Sequence, residues 1–215
     1  PVKKLSESKR RLSKIFNIEE RREFVIAMLK DILRAISSSK VDRTVVIGSD
    51  MIVQRLSSDF RALFIPDTGE KLNQVLDYAT ELCIEKGARS VLILPADIPL
   101  ITSNELDEMI SLCAEKSSIV VSPSSDGGTN ALLRKPPDVM PTFFGAGSFK
   151  KHIDEASKRG IVAKIYRSPR LSLDVDSPSD LKSLLEIGEG TEAYQFLKRN
   201  KIDKRLSESS KSSVI

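Results

Sequence analysis

Three aspartates at the ends of predicted strands have the chemistry of a metal site. Asp97 follows the apolar run 91–94 and stands between two prolines, which turn the chain out of a sheet. Asp174 and Asp176 are two residues apart in another predicted strand, so their carboxylates point to one side. Carboxylate oxygens without His or Cys favour Mg²⁺. The alternative is three unrelated surface aspartates, with Asp97 bonded to its own turn.

The first 14 residues add positive charge, because they hold six basic side chains and one acidic one. This segment is either a loop that binds a polyanion or a solvated terminus. Basic side chains beside carboxylates that hold Mg²⁺ suit a nucleoside triphosphate. Two glycine-rich turns, 127–129 and 145–148, could present backbone N–H groups to an anion, and the second opens a predicted helix. No GxxxxGK[ST] motif is present, which excludes a P-loop protein.

Strands and helices alternate along most of the chain. This alternation predicts an α/β fold of three layers, α/β/α, with a mainly parallel sheet. Apolar spacing predicts helices over 19–36, 49–56, 71–86, 148–158 and 191–199, with two more after the caps at Thr102 and Ser177. Apolar runs predict strands over 44–47, 61–65, 91–94, 119–121, 131–134, 162–166 and 171–176. The region 131–166 is expected to hold an antiparallel strand.

Length and composition predict one domain over residues 1–200 and a basic, Ser-rich, mobile tail over 201–215. Neither a membrane span nor a signal peptide is visible, and the opening at Pro1 suggests that earlier residues are missing. Cys83 and Cys113 lie on apolar helix faces, so we expect reduced core thiols and a cytoplasmic protein. His152 is the single histidine and is expected to be solvated or locally bonded.

Nucleic acid is a poor candidate partner despite the net charge of +4 and the pI near 9.0. The last 21 residues hold six basic and two acidic side chains, so the two ends are basic and the body between them is net acidic. Aromatic residues are only 5% of the chain, and no stacking platform is evident. Salt-dependent binding to mixed DNA or RNA would be needed to support a nucleic-acid-binding function.

Six short motifs, in order, resemble the 2-phospho-L-lactate guanylyltransferase family of coenzyme F420 biosynthesis. They are the segments 1–3, 9–13, 94–100, 126–130, 144–149 and 173–176. The resemblance runs to about residue 185 and implies a fold related to the nucleotide-diphospho-sugar transferases. It also implies that GTP and 2-phospho-L-lactate give lactyl-2-diphospho-5'-guanosine and pyrophosphate. Some relatives use phosphoenolpyruvate or another phosphorylated three-carbon acid.

The resemblance also implies roles for individual residues, and a homodimer. Asp97, Asp174 and Asp176 would hold Mg²⁺. The phosphorylated acid would be bound by Thr129, Gly145 and Ser148. The residues that would bind the nucleotide are Lys3, Lys9, Arg11, Ser13 and Asp97, of which Lys9, Arg11 and Asp97 are the catalytic candidates. A Lys- and Ser-rich first loop replaces the Gly-rich loop of the wider superfamily.

Two other functions stay open at this stage. The nearest is another nucleotidyltransferase of the same fold, such as a molybdenum-cofactor guanylyltransferase, although the segments 9–13 and 144–148 argue against it. The other is a non-catalytic GTP-binding regulator, which would keep the basic loop but would not need three carboxylates. The residues alone determine neither the base nor the acceptor acid, and GTP rests on the resemblance.

Overall fold

Six strands form the centre of the molecule, which a computed structural model describes over residues 1–2 and 4–211, with all side chains except those of Ser6 and residues 208–211. The strands are β1 (Val45–Gly48), β2 (Leu63–Pro66), β3 (Val91–Ile93), β4 (Ser118–Pro123), β5 (Thr129–Lys135) and β6 (Val162–Ile165). β1 and β2 pair in parallel, and the other four form a sheet in the order β3-β5-β4-β6. Within it β4 and β6 are parallel, whereas β5 runs antiparallel to both neighbours. The predicted antiparallel strand is therefore β5.

The described residues form eight α-helices, which are α1 (Ile18–Ser37), α2 (Met51–Asp59), α3 (Leu72–Glu85), α4 (Ser103–Leu112), α5 (Ser148–Lys158), α6 (Pro178–Ile187), α7 (Glu192–Arg199) and α8 (Ile202–Lys211). They cover both faces of the sheet. On β4, Ile119 and Val121 pack into the apolar cluster that includes α5, whereas Val120 packs into the cluster that includes α4. A strand buried on both faces reads as a continuous apolar run, as β4 does. The predicted three-layer α/β fold is confirmed.

Side-chain caps begin the helices where the sequence predicts them. Thr102 accepts the Glu105 N–H and Glu105 bonds back to the Thr102 N–H, which forms a capping box at α4. Ser177 and Asp180 form the same reciprocal pair at α6, with Pro178 at its first position. Because Ser177 caps α6, Asp174 and Asp176 are not needed for that purpose.

The predicted strand over 171–176 is wrong. Residues 173–176 are extended but join no sheet, and Val175 donates its N–H to the carbonyl of Asp97 at 2.9 Å. One isolated bond does not make a ladder. In the four-stranded sheet, β6 already occupies the side of β4 away from β5, so that position is not open to residues 173–176. These residues instead pass near the end of β3 and connect to α6.

The prediction of a mobile tail from residue 201 is also wrong for the residues that the structure describes. Ile202 and Leu206 of α8 are 0% and 4% exposed and belong to the largest apolar cluster, which also contains α1 and α7. Arg205 adds an ion pair to Glu20 of α1 at 2.9 Å. The apolar residues stand four apart and form one buried stripe. The rest of the predicted tail, residues 212–215, lies outside the described residues.

Three smaller predictions concern cysteines and membranes. Cys83 and Cys113 are both free thiols, and Cys113 is buried whereas Cys83 is half-buried. None of the helices in the described part of the chain combines the length and apolar character needed to span a membrane.

Candidate active site

The first segment packs onto the body of the protein instead of fraying. Two short 3₁₀ turns, Leu5–Glu7 and Arg10–Leu12, bury the side chains of Leu5 and Leu12. The Leu5 N–H donates to the Asp50 carboxylate at 3.0 Å. The solvated-terminus interpretation is therefore wrong for the described residues of this segment. Burial of the leucines fixes the chain on either side of Lys9.

Lys9 carries its charge into the interior. Its backbone is left-handed, with φ at 52°, between the two turns, and its side chain is only 6% exposed. The ammonium Nζ lies 3.0 Å from Asp97 Oδ2 and 2.5 Å from Asp176 Oδ1. Burial by itself would lower the pKa of Lys9, but the two carboxylates outweigh it and the pKa is raised. Lys9 is therefore a fixed cation, charged at neutral pH.

The two aspartates that share Lys9 are held by their own backbones. The bond from the Val175 N–H to the Asp97 carbonyl joins the two segments that carry them. Asp180 Oδ2 accepts the N–H groups of Asp176 and Ser177 at 3.0 and 2.7 Å, which fixes Asp176 at the start of α6. The sequence thus brings Asp97 and Asp176 together as predicted, with an ammonium between them.

Asp174 lies beside Asn130 of β5. Asn130 Nδ2 donates to the Leu171 carbonyl at 2.8 Å and to Asp174 Oδ1 at 3.4 Å. Burial raises the pKa of Asp174, and the nearby charges of Asp97 and Asp126 raise it further against the Asn130 bond. Sequence reasoning quoted Asn130 within a motif but gave it no role. The sequence signal that could have pointed to Asn130 was its position directly after Thr129, a predicted binding residue.

The donor set fits a divalent cation in chemistry, although the carboxylates are not gathered as ligands. Across residues 1–2 and 4–211, no group of three or more His, Cys, Asp and Glu side chains has a ligand arrangement. The reason is Lys9, whose ammonium stands between two of the three carboxylates. Hard oxygen donors and the raised pKa of Asp174 mark a cluster short of positive charge. Such a cluster can accept a cation once Lys9 moves toward another anion.

Three residues predicted for an acid come together at the start of α5. Ser148 Oγ donates to Thr129 Oγ1 at 3.0 Å, and the two residues are 1% and 7% exposed. The Ser148 N–H donates to the Gly145 carbonyl at 3.1 Å, and Gly145 has φ at +126°, which only glycine adopts readily. This neutral arrangement at the N-terminal end of a helix suits an anion.

Of the remaining predicted residues, one lies at the rim of this region, one does not join it, and one is outside the described part of the chain. Arg11 is exposed. Hydrogen bonds from Ser124 and the Gly128 N–H lower the pKa of Asp126, and the charge of Arg11 lowers it further. Ser13 is exposed at the end of the second 3₁₀ turn, with no described contact to the aspartates. Lys3 lies outside the described residues.

His152 is a buried residue of this region whose contacts sequence reasoning did not predict in full. The expected solvated histidine is wrong, because its side chain is 0% exposed, whereas the expected local bonding is confirmed. Its ring lies 3.0 Å from Thr129 Oγ1 and accepts the Phe143 N–H at 3.0 Å. Four residues after Ser148 on one helix, it faces the same side, which was the available signal.

Comparison with protein families and curated proteins gives a consistent result. A family model described as "Guanylyl transferase CofC like" matches residues 1–215. The 2-phospho-L-lactate guanylyltransferase of Methanothermobacter thermautotrophicus is 36% identical over 200 residues, which are 93% of this chain and 88% of the relative. The phosphoenolpyruvate guanylyltransferase of Sphaerobacter thermophilus is 33% identical over 185 residues, which are 86% of this chain and 89% of the relative.

Solved structures support the fold. A Desulfovibrio desulfuricans protein, provisionally described as a nucleotide-diphospho-sugar transferase, superposes with a TM-score of 0.78 at 14% identity and covers 94% of both chains. A nucleotidyl transferase from Methanothermobacter thermautotrophicus gives a TM-score of 0.58 at 14% identity, over 80% of this chain and 81% of the other. At these identities the likeness concerns the fold alone.

Proposed function

Since the chain belongs to the family of CofC-like guanylyl transferases, we propose that it transfers GMP from GTP to 2-phospho-L-lactate in coenzyme F420 biosynthesis. The structural observation that best supports this proposal is the buried Lys9. It forms ion pairs with Asp97 and Asp176, which lie on two segments distant from it in sequence. A desolvated cation among carboxylates is what a site needs to receive a triphosphate with its metal ion.

The reaction needs positioning and charge stabilisation more than proton transfer. A phosphate oxygen of the acid attacks the α-phosphorus of GTP, a new P–O bond forms, and the bond to the β-phosphate oxygen breaks. Its electron pair leaves with pyrophosphate, and the product is lactyl-2-diphospho-5'-guanosine. The attacking oxygen is already anionic at pH 7, so no general base is required. The difficulty is to bring two polyanions together.

Lys9 and the aspartates would supply the electrostatic part of this task. We propose that Asp97, Asp174 and Asp176 hold Mg²⁺ with GTP, where the ion would offset the charge of the triphosphate. Lys9 would then turn its ammonium from the carboxylates toward phosphate oxygens. Arg11, exposed at the rim beside Asp126, would meet the triphosphate from the solvent side. Lys3 and Ser13 stay predictions.

Thr129, Ser148 and the turn at Gly145 would bind the acid. The loop 125–127 joins this region to the segment that carries Asp174, because the Phe149 N–H donates to the Gly127 carbonyl at 3.4 Å and the Ser125 N–H donates to the Ser172 carbonyl at 3.3 Å. The acid would therefore lie on the side of the carboxylate cluster. The helix dipole of α5 favours an anion at this end. A bound acid would thereby present its phosphate to the nucleotide.

Phosphoenolpyruvate is the second candidate acceptor. It is favoured by relatives named phosphoenolpyruvate guanylyltransferases at 33% identity, close to the 36% of the first relative named for 2-phospho-L-lactate. Both acids attach a carboxylate and a phosphate ester to the same carbon, so one set of binding residues could serve either. A cytoplasmic protein, supported by two free cysteines, and a homodimer remain proposals.

The test is pyrophosphate release with Mg²⁺ and GTP, with each acid in turn, and with ATP and CTP as controls. We expect release that requires GTP and 2-phospho-L-lactate together, and loss of it in Asp97→Asn. Asp42→Asn, at an exposed position, is the matched control and should keep full activity. Release only with phosphoenolpyruvate would change the acceptor. Nucleotide binding without release under any pairing would favour the regulator.

A further inference from the structure

The imidazole of His152 connects two parts of the proposed acid site. Its Nδ1 lies 3.0 Å from Thr129 Oγ1 on β5, and its Nε2 accepts the Phe143 N–H at 3.0 Å from the loop before α5. The rings of Phe143 and Phe144 lie edge-on to it, with centroids 5.9 and 5.3 Å away. The side chain is completely buried.

The direction of these hydrogen bonds is fixed by the backbone. A peptide N–H can only donate, so Nε2 of His152 must be unprotonated. A neutral imidazole then carries its hydrogen on Nδ1 and donates it to Thr129 Oγ1. Burial, assisted by the charge of Arg134, lowers the pKa of His152 to about 4, which keeps the ring neutral at physiological pH.

Thr129 is left with one role. Its oxygen accepts from His152 and also from Ser148 Oγ at 3.0 Å, so both lone pairs are engaged. Toward any further group, the Thr129 hydroxyl can therefore act only as a hydrogen-bond donor. Among the contacts of the described residues, no acceptor for this hydrogen is found, and the site that adjoins Thr129 is the one proposed for the acid.

We propose that His152 is a positioning residue that holds the Thr129 hydroxyl as a hydrogen-bond donor to an anionic oxygen of the acceptor acid. This inference rests on the proposed function. The relay runs from the Phe143 amide through the ring to Thr129, and every member donates forward. A site that presents only a donor at this point favours an anionic oxygen over a ligand atom that can only donate, such as an N–H group.

The loop on the other side of His152 is held as firmly. Asn73 of α3 accepts the Phe144 N–H at 2.8 Å and donates to the Phe144 carbonyl at 3.1 Å. The backbone of 143–144 is thus bound from both sides, by His152 and by Asn73. The donor that begins the relay cannot shift without breaking these bonds, so the orientation of Thr129 is set before the acid arrives.

The first test is a spectrum. Because His152 is the single histidine, ¹⁵N NMR of labelled protein reports its ring without assignment. We expect the Nδ1–H tautomer in the free protein, and a shift of the Nδ1 resonance on addition of 2-phospho-L-lactate with GTP and Mg²⁺. The Nε2–H tautomer, or a charged ring at pH 7, would overturn the relay.

The second test separates orientation from packing. His152→Asn can keep a donor where Nδ1 lies, whereas His152→Gln can keep only the acceptor for Phe143. We expect His152→Gln to raise the KM for the acid about tenfold or more, with the KM for GTP unchanged, and His152→Asn to raise it less. Thr129→Val should add little to His152→Gln, because the two act through one hydroxyl.

The outcomes distinguish the relay from the function on which it rests. Equal effects of His152→Asn and His152→Gln, in proportion to loss of thermal stability, would overturn the relay and leave a structural histidine. An unchanged acid KM in His152→Gln would overturn it too. If the wild-type protein showed no acid-dependent turnover, the proposed function would be overturned. The acid could then no longer be the group that accepts the Thr129 hydrogen.

Discussion

A buried ammonium that bridges two carboxylates is the central feature of the site at the scale of single residues. Burying an ion is costly unless partners compensate it, and Lys9 has Asp97 and Asp176 within 3.0 Å. The same pairing leaves Asp174 without a cation of its own among the described contacts, and burial, with the charges of Asp97 and Asp126, raises its pKa. One ammonium among three carboxylates leaves the cluster net negative, and a bound triphosphate and metal ion would have to exchange partners with Lys9.

Replacement of Lys9 tests this exchange. In Lys9→Met the triphosphate loses a preorganised cation, so we expect kcat/KM for GTP to fall about 100-fold or more. Asp97 and Asp176 lose their competing ammonium at the same time, so Mg²⁺ should bind the nucleotide-free variant more tightly than it binds wild type. Steady-state kinetics and calorimetric titration with MgCl₂ measure the two effects.

Lys4→Met is the matched control for this substitution, because Lys4 is an exposed lysine in the same segment. Its kinetics should stay within about twofold of wild type, as is usual for surface substitutions. Wild-type kinetics in Lys9→Met would contradict the catalytic role. Weaker binding of Mg²⁺ in that variant would contradict the competition.

The buried imidazole also makes stability depend on pH. The pKa of His152 falls from 6.5 to about 4 on folding, so between these values the unfolded chain binds more protons than the folded one. Stability therefore falls as pH decreases from 6.5 to 4, by about 3 kcal/mol at most. Urea denaturation of wild type and His152→Asn at a series of pH values measures this contribution.

The difference between those two curves isolates His152 from other groups. Burial raises the pKa of Asp31 from 3.8 to about 6, partly offset by the N–H groups of Ala193 and Glu192, and a raised carboxyl pKa acts in the opposite direction. Asp31 is present in both proteins, so its contribution cancels in the difference between their stability curves. Parallel pH curves for wild type and His152→Asn would show that the histidine is not held neutral.

At the scale of elements, connections rather than strands carry most of the site. The carboxylates lie on the turn after β3 and on the extended segment before α6, and the acid residues lie at the start of β5 and of α5. Some connections are held by backbone bonds, as the Val175 N–H holds Asp97, and others by side chains of a neighbouring element, as Asn73 of α3 holds Phe144. Such fastening lets loops carry function without losing their geometry.

Helix α8 is the element whose contribution is most easily measured. Ile202 is completely buried in the cluster shared with α1 and α7, so Ile202→Ala should lower the free energy of unfolding by about 2–4 kcal/mol. Lys204→Ala, on the exposed side of the same helix, should change it by less than about 0.5 kcal/mol. Urea denaturation compares the variants. An unchanged free energy of unfolding in Ile202→Ala would support the predicted mobile tail instead.

At the scale of the whole molecule, the alternation of elements and the helix caps were predictable because each depends on a few neighbouring residues. The apolar run of β4 and the capping box at Thr102 are examples. The predicted strand over 171–176 failed because alternation cannot reveal whether a partner strand is available. The predictions of a mobile tail and of a solvated histidine failed for a similar reason. Ile202 is buried in a cluster that includes the distant helix α1, and His152 is buried by a loop and a strand.

The site itself was predictable as a set of residues but not as an arrangement. Spacing and resemblance selected Asp97, Asp176 and Lys9, yet the direct contact of Lys9 with both carboxylates depends on its left-handed backbone and on two buried leucines. Asn130 was missed because an amide in a strand has many possible partners. Long-range geometry decides such roles, and a single sequence does not encode it in any local pattern.

Because the site draws on segments distant in sequence, ligand binding should stabilise the whole fold. Lys9, Asp97, Thr129 and Asp176 keep their geometry only when all their elements are packed, so a ligand binds the folded state alone. At 100 times its Kd, GTP with Mg²⁺ should add about 2.7 kcal/mol, which raises the Tm by roughly 5–10 °C. Scanning calorimetry with GTP, ATP and GTP plus EDTA measures the shift, and Asp97→Asn should lose most of it. Equal stabilisation by ATP would contradict the choice of guanine, and an undiminished shift in EDTA would contradict the magnesium ion, because the free energy of binding must come from contacts that each ligand makes.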